Sequence, residues 1–127
     1  MNPYKLRNII NLSPERRYRK FIADVANSEE VWILENQSGV LTLGGDGYDT
    51  VIPLWSEQDL GEVFKETNKI LDVEASTISI YDLIDEWIVD AIEEGQAFAV
   101  LPLPNLKAPV IKPEKLKEDL EDELDKY

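Results

Sequence analysis

The stretch SIYDLIDEWIVDAIEEG, residues 79–95, constrains the fold of this chain more than any other. Ile80, Leu83, Ile84, Trp87, Ile88, Ala91 and Ile92 recur at three- and four-residue spacing, and Gly95 follows the last of them. That pattern predicts a helix with one broad apolar face, stopped at the glycine. A face of this width has to be covered by something. The runs around it are short, apolar and β-branched rather than helical: EVWILEN (30–36), GVLTL (39–43), VIPL (51–54), ILDVEASTISI (70–80), QAFAV (96–100) and APVI (108–111). An amphipathic helix set among about five such strands predicts an α+β fold, an antiparallel or mixed sheet with helices packed on it. With no internal repeat and no long linker, residues 1–127 read as a single globular domain.

Three further helices are announced by their starts. Ser13 followed by Pro14 is an N-cap ahead of a proline at the first helical position. Tyr18, Phe21, Ile22, Val25 and Ala26 then form the inward stripe, and Arg16, Arg17, Arg19 and Lys20 are expected in water. Ser56 with Asp59 three residues on is a capping-box pattern, and Trp55 and Leu60 occupy the staple positions of a helix expected from Glu57 to Thr67. Pro113 opens a terminal helix, PEKLKEDLEDELDKY, whose Leu116, Leu120 and Leu124 make a narrow stripe among many acids. So thin an apolar edge makes a marginal helix, expected either to lie along the sheet or to dock a basic partner.

Residue types that are missing remove whole mechanisms. Without Cys or His there is no thiolate nucleophile, no imidazole base and no thiolate or imidazole ligand for zinc, and no cofactor loop is recognisable. Charge is the next limit. Residues 1–20 hold six bases against Glu15, a local net of +5, which leaves −18 for the remainder of a chain whose total is −13. Such a surface repels phosphates, so nucleic acid is an unfavourable partner and a basic protein a favourable one. At the amino terminus IINL is too short for the ~7–15-residue apolar core of a signal peptide. Nor does any run reach the ~20 apolar residues of a membrane span, so no membrane association and a cytoplasmic location are expected.

TLGGDGYDTVIPLW (42–55) is the stretch most suggestive of a ligand. A phosphate-cradling loop should open a helix and be followed by Lys, but this one opens a strand and has no Lys. A calcium loop needs six or more ordered oxygen ligands, whereas the candidates here are Asp46, Tyr48 and Asp49. GGDGYD also departs from the cyclic-dinucleotide-synthase signature after its first three residues. The glycines between two strands therefore predict a wide hairpin turn, with Pro53 confined to an edge or bulge. Asp82, Asp85 and Glu86 have a spacing at which helix carboxylates share metals, but such sites also want His.

In chain order EEVWIL, LTLGGDG, VIPLW, IYDLIDEWI, AVLPLP and PEKLKEDLEDEL resemble a family of small, acidic, uncharacterised bacterial proteins that share a domain of unknown function. The likeness covers nearly the whole chain. The succession of a strand ending in an aromatic, a capped helix, a later strand and an acidic terminal helix is also distantly similar to the N-terminal domain of the enhanced-serine-sensitivity protein. Both resemblances imply an α+β domain with an antiparallel or mixed sheet. Neither brings an activity or a catalytic residue, so Trp32, Trp55 and Trp87 keep their reading as core or staple residues.

The expectation is a non-enzymatic protein-interaction or regulatory module. Its contact surface would combine Asp82, Asp85, Glu86 and Asp90 with Glu118, Glu121, Asp122 and Asp125 on the terminal helix. A sharper form is an immunity-type neutraliser of a basic toxin. The alternatives are a carboxylate-based enzyme or weak cation binder on the Gly44–Asp49 loop, and a structural homodimer paired through the terminal helix, where like charges would oppose pairing. Monomer and homodimer both stay open.

Overall fold

Ser13 starts its helix as expected, its hydroxyl accepting from the Arg16 amide at 3.2 Å. The computed structural model describes residues 3–45, 47–104 and 108–126. In chain order these form α1 (Pro3–Ile10), α2 (Pro14–Ser28), β1 (Glu30–Asn36), β2 (Gly39–Val40), β3 (Leu43–Gly45), β4 (Tyr48–Leu54), α3 (Gln58–Thr67) and β5 (Glu74–Ser79). Then come α4 (Ile80–Asp82), a π-helical turn (Leu83–Trp87), α5 (Ile88–Glu94), β6 (Ala97–Val100), β7 (Val110–Ile111) and α6 (Pro113–Leu124).

The strands form two sheets, ordered β2-β1-β5 and β3-β4-β6-β7. The first is antiparallel throughout. The second is mixed, because β4 and β6 run parallel, with α3, β5, α4, the π-helical turn and α5 between them in sequence. The sheets meet where Trp32 and Trp55 exchange backbone hydrogen bonds of 2.8 and 2.9 Å. Pro53 sits within β4 rather than on an outer strand. Its neighbour β3 pairs only as far as Val51, and β1 takes over at Trp55. Backbone groups alternate sides along a strand, so the amide that proline lacks would point into the gap between those two partners.

One apolar cluster runs through both sheets and the helices, with Phe21 and Val25 of α2, Val31 and Leu34 of β1, Leu54, Trp55 and Leu60 among its fully buried members. The helix over 79–95 forms as its periodicity predicts: the Ser79 hydroxyl accepts from the Asp82 amide at 3.0 Å, and Gly95 ends it. Ile80, Leu83, Ile84, Ile88 and Ala91 are buried. Ile92 is not. It lies about 40° further round the helix than Ile88, outside the covered arc, and is 44% exposed.

Four other expectations are corrected. Arg17 is buried, because α1 folds back against the start of α2 and the guanidinium closes that corner by donating to the Leu12 carbonyl at 2.7 Å and the Ile10 carbonyl at 3.4 Å. Glu57, not Ser56, is the N-cap of α3 and makes no side-chain cap bond, since Ser56 is buried and Asp59 is held by Lys5. The glycine-rich hairpin is tight rather than wide, because Gly45 already pairs with Tyr48. Finally, α6 packs on α2 and α5 rather than along a sheet, and Leu116 and Leu120 are fully buried there.

Candidate functional site

Apolar packing fixes α6, and a polar seam locks it. Phenol Oη of Tyr18 on α2 donates to the Asp119 carboxylate at 2.6 Å, and Lys115 one turn earlier holds the other oxygen at 3.0 Å. Burial first, and then the hydrogen bond to Asp119, push the Tyr18 hydroxyl far above its ordinary value of 10.0, so it stays a neutral donor. The same Asp119 contact raises the Lys115 ammonium. Asp119 is therefore committed to holding the fold. Nothing local in the sequence distinguished it from its acidic neighbours, and its partner lies 101 residues away.

The remaining acids are different. Asp82, Asp85, Glu86 and Asp90 are exposed along the helix from α4 to α5, and Glu118, Glu121, Asp122 and Asp125 are exposed on α6 and its end. Among the described residues none of these carboxylates has an ion-pair partner. No group of three or more acids there is disposed to hold a metal ion either, among the described residues. The packing of α5 on α6 brings part of the predicted set together: Ile92, Glu114, Lys117, Glu118, Glu121 and Asp122 line a shallow groove of about 480 Å³ between the two helices. Asp82, Asp85, Glu86, Asp90 and Asp125 lie outside that lining.

Sequence reasoning missed the apolar component of this surface. Val89 is 39% and Ile92 44% exposed, three residues apart on α5 and so on one flank of the helix. The signal was present: Val89 falls outside the apolar periodicity of 79–95, which leaves a β-branched side chain on the acidic face. Chemically, this face offers apolar contact area beside a predominantly acidic groove that also holds Lys117.

The glycine-rich stretch is placed elsewhere. Tyr48, half-buried, and Asp49, exposed, are the first residues of β4 at the hairpin, and Asp46 lies outside the described residues. At the other end of β4, the indole Nε1 of the fully buried Trp55 donates to the Pro102 carbonyl at 2.8 Å, and its ring meets Phe64 at 5.3 Å. Trp32 and Trp87 are partly buried against the same core. No described helix is long and apolar enough to cross a membrane.

The sequence model of a family described as Protein of unknown function (DUF2750) matches residues 18–120, from the middle of α2 to Leu120 of α6. No curated protein matches the chain.

Proposed function

We propose, for a chain that belongs to the DUF2750 family of unknown function and so takes no activity from it, that this protein is an interaction module docking a basic segment of another protein on its α5–α6 face. The observation that carries this reading is Ile92, 44% exposed in the groove lined by Glu118, Glu121 and Asp122, with Val89, 39% exposed, on the same flank of α5. Single exposed apolar residues are ordinary on any protein. Two on one flank of a helix, beside a groove rimmed by unpaired carboxylates, supply what a binding surface uses: an apolar centre for affinity and charge for steering. A partner presenting Lys and Arg around one or two apolar anchors fits that chemistry.

The test is retention of partners from a lysate of the source cells on the immobilised protein, alongside the double variant Val89→Ser/Ile92→Ser and the reversal Glu121→Lys. A specific partner should lose at least about tenfold in affinity with the apolar pair removed. It should also be released at about 1 M salt, where the screening length falls to about 3 Å. A partner that both variants retain, or that salt does not release, would remove this surface from consideration.

A further inference from the structure

On the other side of α2, away from α6, the molecule has a cleft of about 740 Å³, within the range of sites for small organic ligands. Its walls are α1, one face of α2 and the turn before α3. Ile9, buried, and Leu12, half-buried, give it apolar lining, and the Tyr4 ring stands among the same walls.

The polar groups of the cleft fall into two kinds. Both lysines that line it are committed. Lys5 Nζ reaches Glu57 at 2.8 Å and Asp59 at 2.9 Å, and Lys20 Nζ reaches Asp24 at 2.9 Å. Burial alone would lower the Lys5 ammonium, but the hydrogen bonds and charges of Glu57 and Asp59 outweigh it and hold it above the ordinary lysine value. Arg7, whose guanidinium carbon lies 5.8 Å from the Tyr4 ring centroid, is not part of the lining. The second kind is uncommitted. The carboxamides of Asn8 on α1 and Asn27 on α2 have no hydrogen-bond partner among the described residues, and neither has the hydroxyl of Ser56, a residue only 7% exposed. A serine buried to this degree normally finds a partner within the protein. Here its residue lines the cleft, and its hydroxyl is not among the fully sealed atoms that lack a partner.

From this arrangement we infer that the cleft between α1, α2 and the start of α3 binds a neutral nucleoside, recognised by the Asn8 and Asn27 carboxamides and the Ser56 hydroxyl. A carboxamide sets a donor beside an acceptor, which is the complement of a nucleobase edge. The apolar lining and the Tyr4 ring suit the faces of a base. With both lining lysines already paired to carboxylates, a phosphate would meet no free counter-charge among the described residues, so the unphosphorylated form is preferred. The site is independent of the acidic α5–α6 face, and α1 lies ahead of the family-matched residues.

The experiment is a titration of the full-length, isotope-labelled protein followed by amide shifts, with adenosine, guanosine, cytidine and uridine each added separately. The expected result is saturable shifts confined to residues around Asn8, Asn27 and Ser56 with at least one nucleoside, and binding of its 5′-monophosphate about tenfold weaker or worse. Ser56→Ala and Asn27→Ala should each weaken the nucleoside by about five- to tenfold, the loss of one hydrogen bond. Neither should change the melting temperature, because neither side chain has a hydrogen-bond partner among the described residues. Absence of saturable shifts with all four nucleosides, equal binding of the monophosphate, or unchanged affinity in Ser56→Ala would each overturn the inference.

Discussion

At its Leu54 end β4 runs into a buried joint between the two sheets, and at its Tyr48 end it pairs with Gly45 at an exposed hairpin. From Val51 to Trp55 every residue is buried; Trp55 bridges to Trp32 through its backbone and to Pro102 through its indole. At the other end Gly45 and Gly47 take φ of +147° and +86°, and a Cβ built on either would meet nothing within 4 Å. One strand thus has an end shaped by volume and an end shaped by backbone angles. The conspicuous residues of TLGGDGYDTVIPLW serve opposite purposes: the tryptophan is there for what surrounds it, the glycines for what they permit. The largest test of this contrast is Trp55→Ala, which should cost about 3–5 kcal/mol in urea or thermal unfolding. The Pro102 carbonyl loses its buried donor as well. A cost below about 2 kcal/mol would mean that the joint relaxes around the missing ring and that packing does not define this end.

How much of this was legible follows from the range over which each feature is encoded. The helix over 79–95, the Ser13 cap and the burial of Ala97–Val100 were readable because a period or a cap is written within a few residues. The parallel pairing of β4 with β6, the burial of Arg17 and the Tyr18–Asp119 bond were not, since each depends on which distant elements meet. The candidate surface divides the same way. Its acids were visible as acids, but their gathering around Ile92 required the packing of α5 on α6. Val89 was visible as an apolar residue on the wrong face, and its meaning came only with its exposure.

The Tyr18 seam extends the contrast to polar groups, because its hydrogen bond is held by packing as Trp55 is. Tyr18→Phe should cost about 1.5–3 kcal/mol at neutral pH, the value of a hydrogen bond to a charged acceptor. The pH dependence has a definite sign. The folded-state value is raised above the ordinary 10.0, so the contribution is fully present below pH 10.0. It is lost as pH rises toward the folded value, because the unfolded chain releases the proton first. The difference in melting temperature between wild type and Tyr18→Phe should therefore shrink above that pH. A difference that stays constant or widens would show that the phenol is not held neutral by the fold.

Two glycines sharpen the comparison further because intuition about burial predicts the reverse order. Gly61 is buried in α3, yet its backbone is helical, and a Cβ would meet the Trp55 ring at 3.5 Å and Leu34 at 3.8 Å, ordinary contact distances. Gly61→Ala should leave the protein unchanged or stabilise it by up to about 1 kcal/mol through helix propensity. Gly47 is exposed with open space around it, but its φ is +86°. Gly47→Ala should destabilise by about 1 kcal/mol, since an L side chain is strained there whatever the space. Thermal melts of the two variants side by side decide the matter: if the buried substitution costs more than the exposed one, the two ends of β4 do not differ in the way described.

The smallest effect belongs to Asp49, the described carboxylate of the glycine-rich stretch and the residue there most suggestive of chemistry. It is exposed, and among the described residues no ion pair involves it. A side chain that touches little and compensates no charge has little to lose, so Asp49→Asn should shift stability by less than about 0.5 kcal/mol. Millimolar calcium or magnesium should leave the melting temperature of the wild type unchanged, because binding to the folded state alone would raise it. A rise on adding either ion that Asp49→Asn abolishes would reverse this reading and make the hairpin a cation site. The two ends of β4 would then differ in function as well as in the forces that shape them.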